Sequence, residues 1–341
     1  MAMNAETGMR DAGCPGLGRR EFIKGAMSAT LAALFGSAKG VEVSPVPPEG
    51  APLLEDIAGE DGREAFQREI DAVTPQAWAA YDKCGLSLDE ATGARMRAEL
   101  PALQRYEDAF DKVLAEIGNT EVTGRPAVWL VYNMGVVVKT PKSLFAVDLR
   151  HRRAEVLAPK LDFALITHNH GDHFTEDFYR AMNGTEKKTV VSNFKDNYGA
   201  QSGGRNAGGY TRAVKTFEFG DVRVRTTPAD HNAYLVDFTT VFEITIGDFT
   251  IYHSGDCGNA EKLKPLCPNP DLWIFHPRCG MKCVDGAKAV NPKLAVVTHL
   301  NELGHAKDRW RWTWAQGGRD RRKLEDAGYK AVVPLWGERI C

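Results

Sequence analysis

Sulfur, surplus charge and long apolar stretches are all scarce in this sequence, and each scarcity removes a class of function. Seven cysteines in 341 residues are too few for a disulfide scaffold. Cys14 falls in a segment expected to be removed. Cys84, Cys257, Cys267, Cys279, Cys283 and Cys341 remain, with their pairing open. Cys279 and Cys283 are close enough to bridge in an oxidising compartment. Lys and Arg number 43 against 45 Asp and Glu, a net charge of -2, so no broad attraction to nucleic acid is expected. The apolar stretch at residues 25–35 is too short to span a bilayer. What is left is a globular composition, 43% hydrophobic and 26% charged, long enough for one large domain or two modest ones.

Histidine is scarce too, with nine in the chain, yet His168, His170 and His173 fall within six positions together with Asp172. A buried-strand pattern at residues 163–166 leads into them, so His168 stands where a strand gives way to a loop. A loop can turn several side chains toward one point, which a straight strand or helix cannot. Imidazole and carboxylate together suit zinc, iron or manganese.

The spacing His168-x-His170-x-Asp172-His173 resembles the signature of the metallo-β-lactamase superfamily. The resemblance covers residues 125–341 and implies an α/β fold, a four-layer αββα sandwich with metals at the edge of its sheets. It also implies three further ligands in order, each at a strand end. His231 follows the alternating Val222, Val224 and Thr226. Asp256 follows a hairpin that turns at Gly247 and Asp248. His299 ends the apolar run 294–298. By resemblance, His168, His170 and His231 would hold one metal, Asp172, His173 and His299 a second, and Asp256 would bridge. The implied cofactor is two divalent ions, zinc first, with manganese or iron also suited. Such a pair turns water into a nucleophile near neutral pH, on the order of 7 for zinc. Asp172 has a second, catalytic role available, orienting that water or taking its proton. Asp148 matches a position that orders the nearby loop and is not a ligand.

Within the superfamily, Thr167 to His173, the Ser254-Gly255-Asp256 turn and Gly280-Met281 look most like the branch of ascorbate-6-phosphate lactonase and N-acyl-phosphatidylethanolamine phospholipase D. True β-lactamases carry Cys or His where this chain has Asp256, so a β-lactam substrate is not expected. An Asp rather than a Glu at position 172 argues, by the same carry-over, against the oxygen-reducing di-iron branch. The pattern departs from both named members around Asn133 and over residues 299–305.

Before that domain, Arg19 and Arg20, with Phe22, Lys24 and the apolar stretch 25–35, look like a twin-arginine signal covering residues 1–38. This implies bacterial export of the folded chain to the periplasm by the twin-arginine machinery. Residues 39–120 read as a linker and a helical extension. Leu103, Tyr106, Phe110, Val113, Leu114 and Ile117 recur at helical spacing after Pro101, with Gly118 as the closing cap. The domain proper is expected over 121–341.

Other side chains are candidates for the cleft. His305 is assigned to substrate contact or proton transfer, Glu302 competes with it, and His253 and His276 read as supporting residues. Arg309 and Arg311 are candidate anion-binding residues. Trp310, Trp312 and Trp314 alternate as on one face of a strand. The expected substrate is a small-molecule or lipid-like ester, a phosphodiester or related ester first. A lactonase and a metal-binding protein without turnover stand as alternatives.

Overall fold

The computed structural model describes residues 60–83, 85–186, 188–192 and 214–341. The expected signal (1–38), the linker, and the glycine-rich stretch 199–209 lie outside the described residues. So do Cys14 and Cys84.

Among the described residues, strands form two sheets. The first runs β1 (Ala127–Tyr132), β2 (Gly135–Lys139), β3 (Leu144–Val147), β4 (Phe163–Ile166) and β5 (Thr189–Ser192) in spatial order. The second contains β6 (Lys215–Phe219), β7 (Val222–Ala229), β8 (Thr239–Ile246), β9 (Phe249–His253), β10 (Leu272–Phe275), β11 (Leu294–Val297) and β12 (Ala331–Val332), in the reverse spatial order. Alternation along the strands decides how the sheets stack. Val128, Leu130, Val136, Val138, Phe145 and Leu165 turn inward and meet Val224, Phe242, Ile244, Ile251, Ile274 and Val296 of the other sheet. Their neighbours Trp129, Val131, Val137, Ala146 and Ala164 face outward, as do Trp273, Phe275, Ala295 and Val297 of the second sheet, and helices cover them. Two inner sheets with helices outside each make the αββα sandwich.

Among the described residues, four α-helices precede β1: α1 (Glu60–Ala72), α2 (Pro75–Asp82), α3 (Glu90–Glu99) and α4 (Pro101–Asn119). Pro101 opens α4, where its missing N–H costs nothing. Leu103, Tyr106, Phe110, Val113 and Ile117 are all buried, at spacings of three and four. At about 2 kcal/mol each, this stripe is worth roughly 10 kcal/mol gross, comparable to the net stability of a whole domain. The extension is therefore part of the fold. Gly118 does not close α4, which runs through Asn119 and is capped at Thr120.

The chain then adds α5 (Glu176–Arg180), α6 (Cys283–Val290) and α7 (Trp314–Asp326). Local expectations are corrected at the Trp positions and at Cys279 and Cys283. The Trp positions do not form a strand: Thr313 and Gln316 make a reciprocal capping box, so Trp314 starts α7 and is buried. The final strand is only Ala331–Val332, since Pro334 brings no N–H to a ladder. Cys279 and Cys283 are unbridged, with sulfurs directed at His231 and at the Asp320 carbonyl respectively.

The extension also holds the loops that matter. Arg150 pairs with Asp82 of α2 while its Nε donates to the Gly171 carbonyl at 2.7 Å, inside the histidine motif. Arg311 is 3% exposed, and its nitrogens donate to the carbonyls of Ile70 (2.8 Å), Glu302 (3.2 Å) and Leu303 (2.8 Å). It ties α1 to the segment after His299, and it is not available to a substrate, contrary to the expectation from sequence.

Asp82→Ala would leave the buried Arg150 guanidinium without its partner. The expected loss is about 3–5 kcal/mol in a denaturant titration, with looser retention of metal at the histidine loop. Unchanged stability would mean that this ion pair does not fasten the extension.

Candidate metal centre

The site assembles at the ends of β3, β4, β7, β9, β10 and β11. Its first fixed point is Asp148, just past β3, in a left-handed conformation (φ +48°). Its Oδ1 accepts from the Thr167 amide at 2.7 Å; its Oδ2 accepts from the Thr167 hydroxyl at 2.7 Å and faces His173 Nδ1 at 2.9 Å. Since Thr167 gives its one hydroxyl proton to Asp148, it accepts from His168 Nδ1, 3.0 Å away. Both imidazoles are thereby turned with Nε2 toward a common point, as a support residue for metal ligands should do.

Asp256 occupies that point. Gly255 before it has φ +52°, and a Cβ there would lie 2.8 Å from the Thr167 side chain, so only glycine allows the turn to press against the motif. Asp256 Oδ2 stands 3.4 Å from His231 Nε2, 3.6 Å from His299 Nε2 and 3.9 Å from His168 Nε2. Its Oδ1 lies 3.4 Å from His173 Nε2. One carboxylate facing four imidazoles is the arrangement of a bridging ligand. Asp172 Oδ2 is 3.0 Å from His299 Nε2. The β1–β2 turn braces both of these: Asn133 Nδ2 donates to the Asp172 carbonyl at 3.0 Å, and the His299 amide donates to the Asn133 carbonyl at 2.9 Å.

Ligand atoms of His168, His170 and His231 lie within 4.8 Å of one another, and so do those of Asp172, His173 and His299. The seven residues picked from the sequence thus meet in one cluster. His168 Nε2, His173 Nε2 and Asp256 Oδ1 are buried and without hydrogen-bond partners. Unsatisfied buried donors and acceptors of this chemistry fit divalent cations.

Charge within the cluster is strongly structured. Burial disfavours ionised Asp256 and Asp172, but His299 and His173 outweigh it and hold both carboxyls well below their usual range. Burial likewise opposes protonated His173 and His299, and there Asp256 and Asp172 prevail and raise both imidazoles. His168 and His276 go the other way, lowered by burial and then by His173 and His299 respectively.

The remaining candidates divide. His253 is buried against the Met134 carbonyl (3.2 Å) and accepts from the Gly255 amide, a structural role. His276 stacks on His299 with ring centroids 3.9 Å apart and shares a ligand group with Asp256 and His299. Glu302 turns away toward Tyr132, while His305 lines the pocket over the cluster. Arg309 is exposed and rests over the Trp310 ring, 4.7 Å from its centroid; it is not among the residues lining that pocket. Arg278 and Cys279, with Asn232, Trp310 and Trp312, do line it. The sequence reading passed over Arg278 and Cys279 as cleft residues, although they follow the end of β10 as the other ligands follow their strands.

His168→Ala should lower bound metal per chain, measured by elemental analysis after dialysis; unchanged content would contradict the assignment. Because His173 is raised, a cation must displace its proton, so metal retention should fall as pH is lowered and recover as it rises.

A family model described as the Beta-lactamase superfamily domain matches residues 140–299. A UPF0173 metal-dependent hydrolase of Pelotomaculum thermopropionicum is 30% identical over 174 residues, 44% of this chain and 71% of that protein. One from Nanoarchaeum equitans is 26% identical over 202 residues, 53% of this chain and 86% of that protein. Among solved structures, a possible metal-dependent hydrolase from Veillonella parvula overlays with a TM-score of 0.48 at 14% identity, over 64% of this chain and 99% of that one. The matched domain opens just before β3, takes in the whole histidine motif and ends on His299; with a relative 30% identical and covered over 71% of its length, the chain belongs to the UPF0173 metal-dependent hydrolases, and its fold is that of the metallo-β-lactamase superfamily.

Proposed function

We propose that this metal-dependent hydrolase cleaves a phosphodiester or a related ester of a small or lipid-like molecule. The observation that carries the reading is the pocket above the cluster, about 410 Å³, lined by Asp172, His276, Arg278, His299, His305 and Trp310 among others. That volume suits a small ligand rather than a polymer. Arg278 puts a cation at its wall. One end of the guanidinium is held by Asp320 at 2.9 Å, and the side chain is part-exposed, so its charge can attract an anionic group.

Divalent ions held by the seven-residue cluster would supply Lewis-acid chemistry and acidify water. The protein's own side chains do the rest. Asp172 faces the pocket, where its carboxylate can orient the attacking water. His305 sits farther out, its amide donating to Glu302 Oε2 at 2.7 Å, and its imidazole is placed for proton transfer to a leaving group. Trp310, 58% exposed, offers a flat apolar face to the rest of the substrate. The resemblance to a phosphorylated-lactone hydrolase and a phospholipase supports a phosphate-bearing substrate. Arg278 takes the anion-binding role that the sequence reading gave to Arg309 and Arg311.

The deciding experiment compares a chromogenic phosphodiester with a lactone, using metal-replete protein. Phosphodiester turnover should be abolished in Asp172→Ala. In Arg278→Ala, KM should rise about tenfold with a smaller change in kcat. Lactone turnover without phosphodiester turnover would move the protein to the lactonase reading. No turnover of any ester would favour a metal-binding role.

Residues 1–38 are read as a twin-arginine signal, on Arg19, Arg20 and the apolar stretch that follows. Replacing both arginines with lysine should shift the protein from the periplasmic to the cytoplasmic fraction of a bacterial host. Unchanged fractionation would rule out this route.

A further inference from the structure

We infer that Cys279 is a metal ligand, a thiolate sharing with His231 and Asp256 the cation on the open side of the cluster. The inference rests on the metal-dependent reading and extends the donor set beyond the seven residues already placed.

Three observations carry it. First, Cys279 Sγ, His231 and Asp256 each offer a ligand atom within 4.8 Å of the others. Second, the spacings match donors around one ion. Sγ, whose S–H donates to the His231 carbonyl at 3.1 Å, lies 3.4 Å from His231 Nδ1 and 3.9 Å from Nε2, and Nε2 lies 3.4 Å from Asp256 Oδ2. Bond lengths of about 2.3 Å to sulfur and about 2.0–2.1 Å to nitrogen put two tetrahedral ligands about 3.5 Å apart. Third, Asp256 is itself buried, with Oδ2 directed at His231 and Oδ1 left without a hydrogen-bond partner inside the cluster.

The backbone is built for this approach. Gly258 threads between the His231 and Cys279 segments, where a Cβ would lie 2.3 Å from the Cys279 carbonyl and 2.4 Å from the His231 carbonyl. Its amide donates to the Asp230 carbonyl at 2.8 Å, pinning the strand end that delivers His231. Any larger residue would push the sulfur away from the imidazole.

Coordination breaks the S–H bond and forms a sulfur–metal bond. The proton passes to water in the pocket that Cys279 lines. A thiolate is a soft donor, so its presence selects zinc or cobalt(II) over manganese at this position.

The test loads the full chain with cobalt(II). Wild type should show visible ligand-field bands and a near-ultraviolet sulfur-to-cobalt charge-transfer band. Cys279→Ser should keep the first and lose the second, with zinc affinity reduced about tenfold or more. Cys283→Ser, altering a thiol outside the cluster, should keep both. Ligand-field bands without charge transfer in wild type, or charge transfer retained in Cys279→Ser, would overturn the inference while leaving the metal centre intact. No cobalt spectrum at all would overturn the metal-dependent reading with it. If Cys279→Ser does not fold, X-ray absorption at the zinc edge of wild type decides. A sulfur neighbour at about 2.3 Å supports the ligand, and a shell of nitrogen and oxygen alone refutes it.

Discussion

Burial of unpaired imidazole and carboxylate is the constraint on which the rest of the structure depends. His168 Nε2, His173 Nε2 and Asp256 Oδ1 lie out of solvent without hydrogen-bond partners. Each such atom costs about 1–3 kcal/mol, a large share of the 5–15 kcal/mol that a domain retains in total. The fold lowers the cost in part by letting Asp172 and Asp256 stabilise protonated His173 and His299. Those protons occupy positions where cations belong. Binding of a cation at His173 and His299 must therefore displace their protons.

Holding like groups at such short range requires support from outside, and the structure supplies it from three directions. Asp148 and Thr167 fix the ring orientations of His173 and His168 from below. Asn133, in a left-handed turn, binds the backbone of Asp172 on one side and of His299 on the other. Arg150 and Arg311 connect the motif loop and the segment after His299 to α2 and α1. The helical extension therefore does more than cover apolar strand faces, since two of its helices end in contacts that set the position of the site's loops.

How much of this could be read beforehand follows from the range of the interactions. The histidine motif, the strand-end positions of His231, Asp256 and His299, and the stripe on α4 are local patterns, carried by neighbours in sequence. Their legibility follows from periods of two and of three to four residues. The role of Arg311 was not legible, because its partners include Ile70, 241 positions away. Nothing local distinguishes an arginine that binds anions from one that binds carbonyls. The Trp310–Trp314 region was misread because alternation also fits a turn running into a helix, and the capping pair Thr313 and Gln316 decides between them. The sequence neighbour of Cys279 is Cys283, whereas its spatial neighbour His231 comes 48 residues earlier.

The division of labour in the site follows from these supports. The seven-residue cluster is anchored by strand ends and offers the same hydrolytic chemistry to any substrate that reaches it. Choice among substrates must then come from what stands between the cluster and solvent. That boundary is made by the segment after β10, with His276, Arg278 and Cys279, and the segment after β11, with His305, Trp310 and Trp312. The two segments touch: Arg278 lies over the Trp312 ring, 5.8 Å from its centroid, and binds Asp320 of α7. Changing the packing of α7 or of the extension would therefore move the pocket wall while leaving the ligands in place. The rim is therefore positioned by those helices, and the cluster beneath it by the strand ends.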